Sequence, residues 1–167
     1  MGFYHRLVDG YYRLVDGFAR TRIGAWIVMR VFSPLDKRLL RWSNGALSSA
    51  YPRDYGANAV LLRCTGAKSG KPRDIPLLSK PLDGRWVLIA SAGGQKKNPD
   101  WYYNLKAHPH CTLLVSHRGE IPCIAREAEG VERDRAWQAA NTQYPGYATY
   151  QQRTQRRISV MMLEPEN

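Results

Sequence analysis

The sequence predicts a mostly β, α+β domain: a small barrel or sheet of about six antiparallel strands, with peripheral helices and an N-terminal helical arm. Three observations predict it. Short apolar runs alternate with tight-turn signals between residues 59 and 164. Two helix-like stretches interrupt those runs. The first fifty residues lack the strand rhythm altogether and read as helix and connector.

In the first fifty residues, Tyr4–Gly10 and Tyr11–Gly17 repeat one heptad, differing only at His5 against Tyr12. A period of seven suits an amphipathic helix, although Gly10 and Gly17 weaken its interior. Two copies are too few for a solenoid, so the repeat reads as a duplication lengthening a helical arm. Residues 18–32 are expected to continue as helix, and Pro34 marks a break and restart into LDKRLLRW (35–42). The apolar stretch 23–32 is interrupted by Arg30 and is too short to span a bilayer, which needs about 20 apolar residues. Eight basic and three acidic residues in 1–50 suit either an anionic lipid surface or a helix packed on its own domain. The expected organisation is a basic helical arm over 1–50 and a barrel domain over 51–167, joined through the Pro- and Gly-containing segment around 48–59.

The strands follow in order. Residues 59–65 are an apolar run ending at a Gly-rich turn, and 75–80 is the next. Asp83-Gly84 then favours a tight hairpin into 85–92. Residues 111–117 and 120–128 flank a turn at His117–Glu120, and 158–164 closes the set. The first interrupting helix is expected over 98–108, with Asn98 as N-cap, Pro99 in the first helical position and Asp100 in the first turn. The second is expected over 132–144 and ends at Pro145-Gly146.

The 167 residues suffice for one domain with a real core, and a 44% hydrophobic content argues against disorder. The net charge of +11 calls for an anionic partner: nucleic acid, an anionic membrane or a phosphorylated cofactor. The basic residues are split between loops and the arm, with no finger, RNP or GxxG signature, so no nucleic-acid partner is expected. Cys64, Cys111 and Cys123 form no CxxC pair and read as reduced, partly buried thiols. His5, His108, His110 and His117 have no zinc spacing, so no metal is expected. The opening MGFYHRLVDG lacks the apolar segment of a signal peptide. A cytoplasmic setting is therefore expected, with the cytoplasmic face of the membrane as a peripheral site.

Three segments carry candidate chemistry. Residues 63–73, RCTGAKSGKPR, gather Arg63, Lys68, Lys71 and Arg73 around Gly66, Ser69 and Gly70. Glycines let the backbone turn and present N–H groups, and cations satisfy phosphate oxygens. The spacing is not a P-loop, because three residues and not four separate Gly66 from Gly70, and Pro72 follows Lys71. An ordinary basic hairpin turn would read the same way. Residues 89–109 run from a strand end at Ser91 through Gly93-Gly94 to Gln95, Lys96, Lys97 and a helix N-terminus, a second anion-reading element. Tyr144, Tyr147 and Tyr150 recur every three residues. They can line a flat aromatic substrate and donate to its oxygen, or cap a barrel as half-buried aromatics.

Together these segments resemble the deazaflavin (F420)-dependent nitroreductases, or F420H2-dependent quinone reductases, which are related to the split-barrel FMN-binding pyridoxamine-phosphate oxidase group. The stretches that carry the resemblance are LLRCTGAKSGKPRDIPLL (61–78), VLIASAGGQKKNPDWYYNLKAHP (87–109) and QYPGYATYQQRTQRRISVMMLEP (143–165). It implies a split barrel binding coenzyme F420, a deazaflavin with a phosphodiester and a glutamate tail, and hydride transfer from its reduced form to a quinone, enone or nitroaromatic. By the same resemblance Lys68 and Arg73 match phosphate ligands, helped by Ser69 and Gly70. Arg63, Lys71 and Trp101 are counted with them at the cofactor. Lys96 and Lys97 lie in the cofactor-facing loop, and the NP-WY-NLKA helix supports it. Ser91 matches a serine beside the ring, and Tyr144, Tyr147 and Tyr150 match the tyrosines of the substrate pocket, with catalytic roles. Leu78 stands on the substrate side where a nitroimidazole-reducing member has tyrosine, and Ala92 stands where it has lysine. Some relatives meet membranes through the N-terminal region. The partners expected are a small-molecule hydride acceptor and an anionic membrane for the arm, in a monomer or homodimer. The alternatives are an FMN-dependent reductase of the same type and a non-catalytic deazaflavin carrier.

Overall fold

The computed structural model describes residues 33–49 and 58–166, with Gly17, Thr21 and Gly24 besides. The duplicated heptads and the helix expected over 18–32 otherwise lie outside the described residues. The strands are β1 (Asn58–Thr65), β2 (Pro72–Leu82), β3 (Arg85–Ile89), β4 (His110–Val115), β5 (Gly119–Glu127) and β6 (Val160–Pro165). They close into an antiparallel barrel in the order β1-β2-β3-β6-β5-β4, with β4 returning to pair with β1. The helices are α1 (Ser33–Trp42), α2 (Asp100–Ala107), α3 (Gly130–Gln143) and α4 (Gly146–Gln152).

Successive strand residues point to opposite faces, and here both faces are used. Val60, Leu62 and Cys64 of β1, Trp86 and Leu88 of β3, Leu113 of β4 and Met161 and Leu163 of β6 fill the interior. Trp101 and Leu105 of α2 join that interior cluster. Outward-facing Val87, Ile89, Val160 and Met162 are covered by Ala136 and Ala140 of α3 and Tyr147 and Tyr150 of α4. Leu61 and Leu114 are covered by Leu40 of α1. This double burial is why WVLI (86–89) reads as a continuous apolar run, not an alternating one. The part of the expected arm that is described, α1, thus packs on the barrel. Its buried Asp36 accepts hydrogen bonds from the Ser49 backbone N–H (2.5 Å) and hydroxyl (2.8 Å).

Element ends differ from the sequence reading where turns intervene. Asp83 and Gly84 both take positive φ (50° and 76°), the pair a tight two-residue hairpin needs. β2 runs longer than 75–80 because it serves two partners, β1 along its first part and β3 along its last. β3 stops at Ile89, not Ala92, because Ala92 turns to φ 47°. β4 stops at Val115 because His117 turns to φ 61°. α2 begins one residue later than expected, with Pro99 in extended conformation at its cap. Asn98 is not the N-cap: its Oδ1 instead accepts from Arg156 Nη1 at 2.7 Å.

α2 is fixed to β5 by a polar cluster. Tyr102 Oη donates to Glu127 Oε2 (2.7 Å), and Lys106 Nζ lies 3.3 Å from the same oxygen. Burial works to raise the Glu127 pKa, but hydrogen bonds from Tyr102, Ser159 and Lys106 together outweigh it and hold the carboxyl below its usual range. A depressed folded-state pKa contributes stability that is fully present above the unfolded value, about 4.3, and is lost as pH falls through the folded one. Tyr102→Phe is expected to cost about 2 kcal/mol at pH 7. Denaturant titrations at several pH values should show that cost shrinking as pH falls below the unfolded-state value and Glu127 becomes protonated in the folded protein.

Candidate active site

Two loops and one helix hold the residues singled out from the sequence. The first loop is the tip between β1 and β2. The ladder closes at Thr65 opposite Pro72, leaving six residues to turn. Gly66 N–H donates to the Lys71 carbonyl and Gly70 N–H to the Gly66 carbonyl, both at 2.9 Å. Gly70 takes φ +63°, a conformation that favours glycine. A Cβ at Gly66 would sit 2.7 Å from Ser69 Oγ, so the turn is closed too tightly there for a side chain. Ser69 Oγ accepts the Lys71 N–H at 3.3 Å. α2 steadies the tip, because Asn104 Oδ1 accepts the Ala67 N–H at 2.9 Å.

Lys68, Ser69, Gly70, Lys71 and Arg73 are exposed on this turn. Arg63 belongs to a different environment. It lies within β1 opposite Asp74, whose carboxylate it meets at 3.1 Å, with Glu120 at 3.3 Å. Arg41 of α1 joins the same Asp74 carboxylate. Arg63 therefore ties strands and α1 together, apart from the cations of the tip.

The second loop follows β3. Ser91 starts a short 3-10 turn over Ala92–Gly94, and three successive residues have positive φ: Ala92, Gly93 and Gly94 (47°, 64° and 84°). Lys96 and Lys97 are exposed beyond it. The loop is held from inside by Arg156. Its guanidinium donates to the carbonyls of Ala90 (2.9 Å), Ser91 (3.0 Å) and Gln95 (2.9 Å), and to Asn98 Oδ1 (2.7 Å). An open cleft of about 490 Å3 runs along this loop, lined by Lys96, Arg153, Thr154, Gln155 and Arg156. Trp101, just past the loop, is only 6% exposed and packs in the barrel interior, so it supports the site from beneath.

The third element is α4 with the residue before it. Tyr144, Tyr147 and Tyr150 form one cluster of rings, with centroids 5.0 to 6.5 Å apart, and the hydroxyls of Tyr144 and Tyr150 lie 3.0 Å apart. Tyr147 and Tyr150 are buried against the outer face of β3 and β6, while Tyr144 stays partly exposed. Gly146 makes this possible, since a Cβ there would fall 2.4 Å from the Tyr144 ring. The cofactor-type loop touches this helix directly: a Cβ on Gly94 would sit 2.6 Å from the Tyr150 carbonyl oxygen. Leu78 lies on β2 opposite Ala59, partly buried. Its neighbour Ser79 accepts from Gln143 Nε2 at 3.1 Å, next to Tyr144.

Both loops are basic. Lys68, Lys71, Arg73, Lys96 and Lys97 have no carboxylate partner among the described residues, and the same is true of Lys37, Arg38, Lys80 and Arg118, whereas Arg41, Arg63, Arg85, Arg126, Arg133, Arg135 and Arg157 are paired. The three cysteines are free and buried. Burial pushes Cys111 up to about 12 and Cys123 up to about 11, so they stay protonated thiols at neutral pH and are poor nucleophiles. No group of three or more metal-ligating side chains occurs among the described residues. What remains is two basic loops, one tied to α2 through Asn104 and the other packed against the tyrosine-bearing α4.

Residues 35–165 match the family model described as F420H(2)-dependent quinone reductase. The chain belongs to that family. An F420H(2)-dependent quinone reductase of Mycobacterium tuberculosis is 33% identical over 133 residues, covering 77% of this chain and 87% of the relative. A solved F420-H2 dependent reductase (FDR-A) is 44% identical, with a TM-score of 0.57, and covers 63% of this chain and 92% of that one. A second solved structure, described as a domain-swapped dimer, is 37% identical with a TM-score of 0.62, covering 78% and 95%. F420H2-dependent quinone reductases are enzymes, and this chain is an oxidoreductase that uses the reduced deazaflavin to deliver a hydride to a quinone-type acceptor. The carrier reading falls with that membership.

Two positioning groups have no counterpart in the sequence reading of single residues: Asn104, which ties the β1–β2 tip to α2, and Arg156. Neither stands out by spacing, and Arg156 sits in a basic run that looks like solvated surface. Gly94 supplies a direct test of the loop-to-helix contact. Gly94→Ala is expected to destabilise by about 2 kcal/mol or more, combining left-handed strain with the clash on Tyr150. Gly84→Ala, at φ +76° with nothing within 4 Å of the new Cβ, carries the strain alone and should cost about half as much in thermal unfolding.

Proposed function

We propose that the β1–β2 tip and the 91–97 loop hold the phosphodiester and carboxylate tail of reduced F420, with Ser91 at the ring and the tyrosine cluster at the acceptor. One observation carries this reading: Lys68, Lys71 and Arg73 crowd one tight turn and Lys96 and Lys97 a second loop, all exposed and without a carboxylate partner among the described residues. Such groups are stabilised by an incoming polyanion, and arginine can bind phosphate through two parallel N–H bonds. When bound, the reduced deazaflavin supplies the hydride. The protein's share is orientation, exclusion of water and charge stabilisation.

In this reading Lys68 and Arg73 contact the phosphate, with Ser69, Gly70 and Lys71 completing the turn. Lys96 and Lys97 face the carboxylates. Tyr147 and Tyr150 build the wall, and Tyr144, the more exposed ring, presents its hydroxyl to the acceptor oxygen. A phenol paired with a second phenol is polarised by it and donates more strongly. Leu78 sits where it would line the acceptor's apolar edge. Residues 51–167 form the deazaflavin-binding domain, with residues 1–50 as its basic arm. The domain-swapped relative favours a homodimer for this chain.

Fluorescence titration tests the cofactor assignment. Lys68→Ala with Arg73→Ala should weaken F420 binding roughly a hundredfold, and less so at high salt. FMN binding as tight as F420 binding would overturn the choice of cofactor. Tyr144→Phe should lower kcat with a quinone roughly tenfold while leaving the F420 dissociation constant unchanged.

A second reading concerns location. No helix among the described residues is long and apolar enough to cross a membrane. Yet Trp42 on α1 is 81% exposed, with Leu35 and Leu47 also exposed and Arg38 on the same helix. Aromatic and apolar groups beside cations suit the interface of an anionic bilayer, and we assign α1 and the arm to peripheral contact with the cytoplasmic face. Trp42→Ser with Arg38→Glu should reduce co-sedimentation with anionic vesicles severalfold; unchanged sedimentation rejects the contact.

A further inference from the structure

We propose that Arg156 is a positioning residue for hydride transfer, clamping both feet of the 90–98 loop so that Ser91 is held in fixed register with the tyrosine helix. The proposal rests on the reading of Ser91 as the residue beside the deazaflavin ring.

The geometry is specific. One guanidinium donates to four acceptors: Ala90 and Ser91 at the start of the loop, Gln95 beyond its 3-10 turn, and Asn98 just before α2. These span the whole excursion of the chain between β3 and α2. The planar fork of an arginine can satisfy carbonyls on two sides at once; a lysine ammonium of similar charge cannot. The loop's backbone hydrogen bonds are the one from Ala90 N–H to the Ser159 carbonyl and those within its own turn, so Arg156 supplies the side-chain ties that join its two feet. Its three successive positive-φ residues are conformationally costly, and Ala92 among them is not a glycine.

Arg156 is itself fixed from the α4 side. Gln151, at the end of α4 and next to Tyr150, donates through Nε2 to the Arg156 carbonyl (2.8 Å). Its Oε1 accepts the Ile158 N–H (2.9 Å), bracketing the segment that carries Arg156. A continuous chain of contacts therefore runs from Tyr150 through Gln151 and Arg156 to Ser91. Gly94, packed against the Tyr150 carbonyl, closes it into a ring. The Ser91 side and the tyrosine side are thereby linked through one side chain that bonds to the Ser91 backbone and not to its hydroxyl. A misplacement of about 1 Å between reacting groups costs roughly a hundredfold in rate, so such a clamp has a large lever.

The test compares Arg156→Lys with Asn98→Ala in the full chain. Hydrogen exchange on the cofactor-free protein reads the clamp directly, because the Gly94 and Gln95 N–H groups donate within the loop, to Ser91 and Ala92. In Arg156→Lys these two amides should exchange at least roughly tenfold faster, with barrel amides such as Val87 and Met162 unchanged. Asn98→Ala, losing one acceptor of four, should shift the same amides by less. With F420H2 and a quinone, Arg156→Lys should lower kcat roughly tenfold or more while the quinone KM and the F420 dissociation constant move less than threefold. Wild-type protection of Gly94 and Gln95 in Arg156→Lys overturns the proposal. So does uniform loss of protection across the barrel, which would make Arg156 a general structural residue, and so does a loosened loop with unaltered kcat. Failure of the wild-type protein to bind F420 would instead sink the cofactor reading, and the exchange result would still judge the clamp.

Discussion

The structure depends on the pairing of β4 back onto β1. Val60, Leu61, Leu62 and Arg63 stand opposite Val115, Leu114, Leu113 and Thr112, and this ladder turns an open sheet into a ring. Closure removes both free edges, so every strand is hydrogen-bonded on two sides. It also divides the side chains into an interior set and an exterior set, and the exterior set must find its own cover. α1 covers Leu61 and Leu114, and α3 with α4 covers the face of β3 and β6. The position of the tyrosine cluster is a product of that demand. The tyrosines lie where they do because Val87, Ile89, Val160 and Met162 need an apolar lid.

The same architecture explains how short loops hold a fixed geometry. α2 enters the barrel's interior cluster through Trp101 and Leu105, and on the outside it carries Asn104 to the β1–β2 tip. Its N-terminal approach carries Asn98 to Arg156. One two-turn helix thus steadies both basic loops, and its own seat on β5 is the Tyr102–Glu127–Lys106 cluster. The two basic loops, the tyrosine helix and the barrel are coupled by a small number of hydrogen bonds whose donors and acceptors lie far apart in sequence.

Much of this was legible in the sequence. Apolar runs punctuated by turn residues located all six strands, because both the runs and the Asp83-Gly84 turn are local properties. The tyrosine triplet and the two basic loops were visible for the same reason. What was not legible was long-range. Arg156 is 65 residues from Ser91 and looks like its neighbour Arg157, which pairs with Asp134 at the surface; only the fold tells them apart. Asn98 carries every local mark of an N-cap, yet a guanidinium supplied from the far end of the chain outcompetes the helix for its oxygen. Arg63 shares a basic segment with Lys68 and Arg73, but strand register commits it to Asp74.

The unpartnered cations at the two loop tips have a further meaning. Like charges gathered without counter-charges repel one another, and the folded chain holds them together against that repulsion. Part of the affinity for a polyanion is then the release of this tension. Small buffer anions relieve it too, in competition with the larger ligand. With the cofactor held at these loops as proposed, ionic strength and free phosphate would act as a governor on how readily it exchanges, independently of any change in the shape of the site.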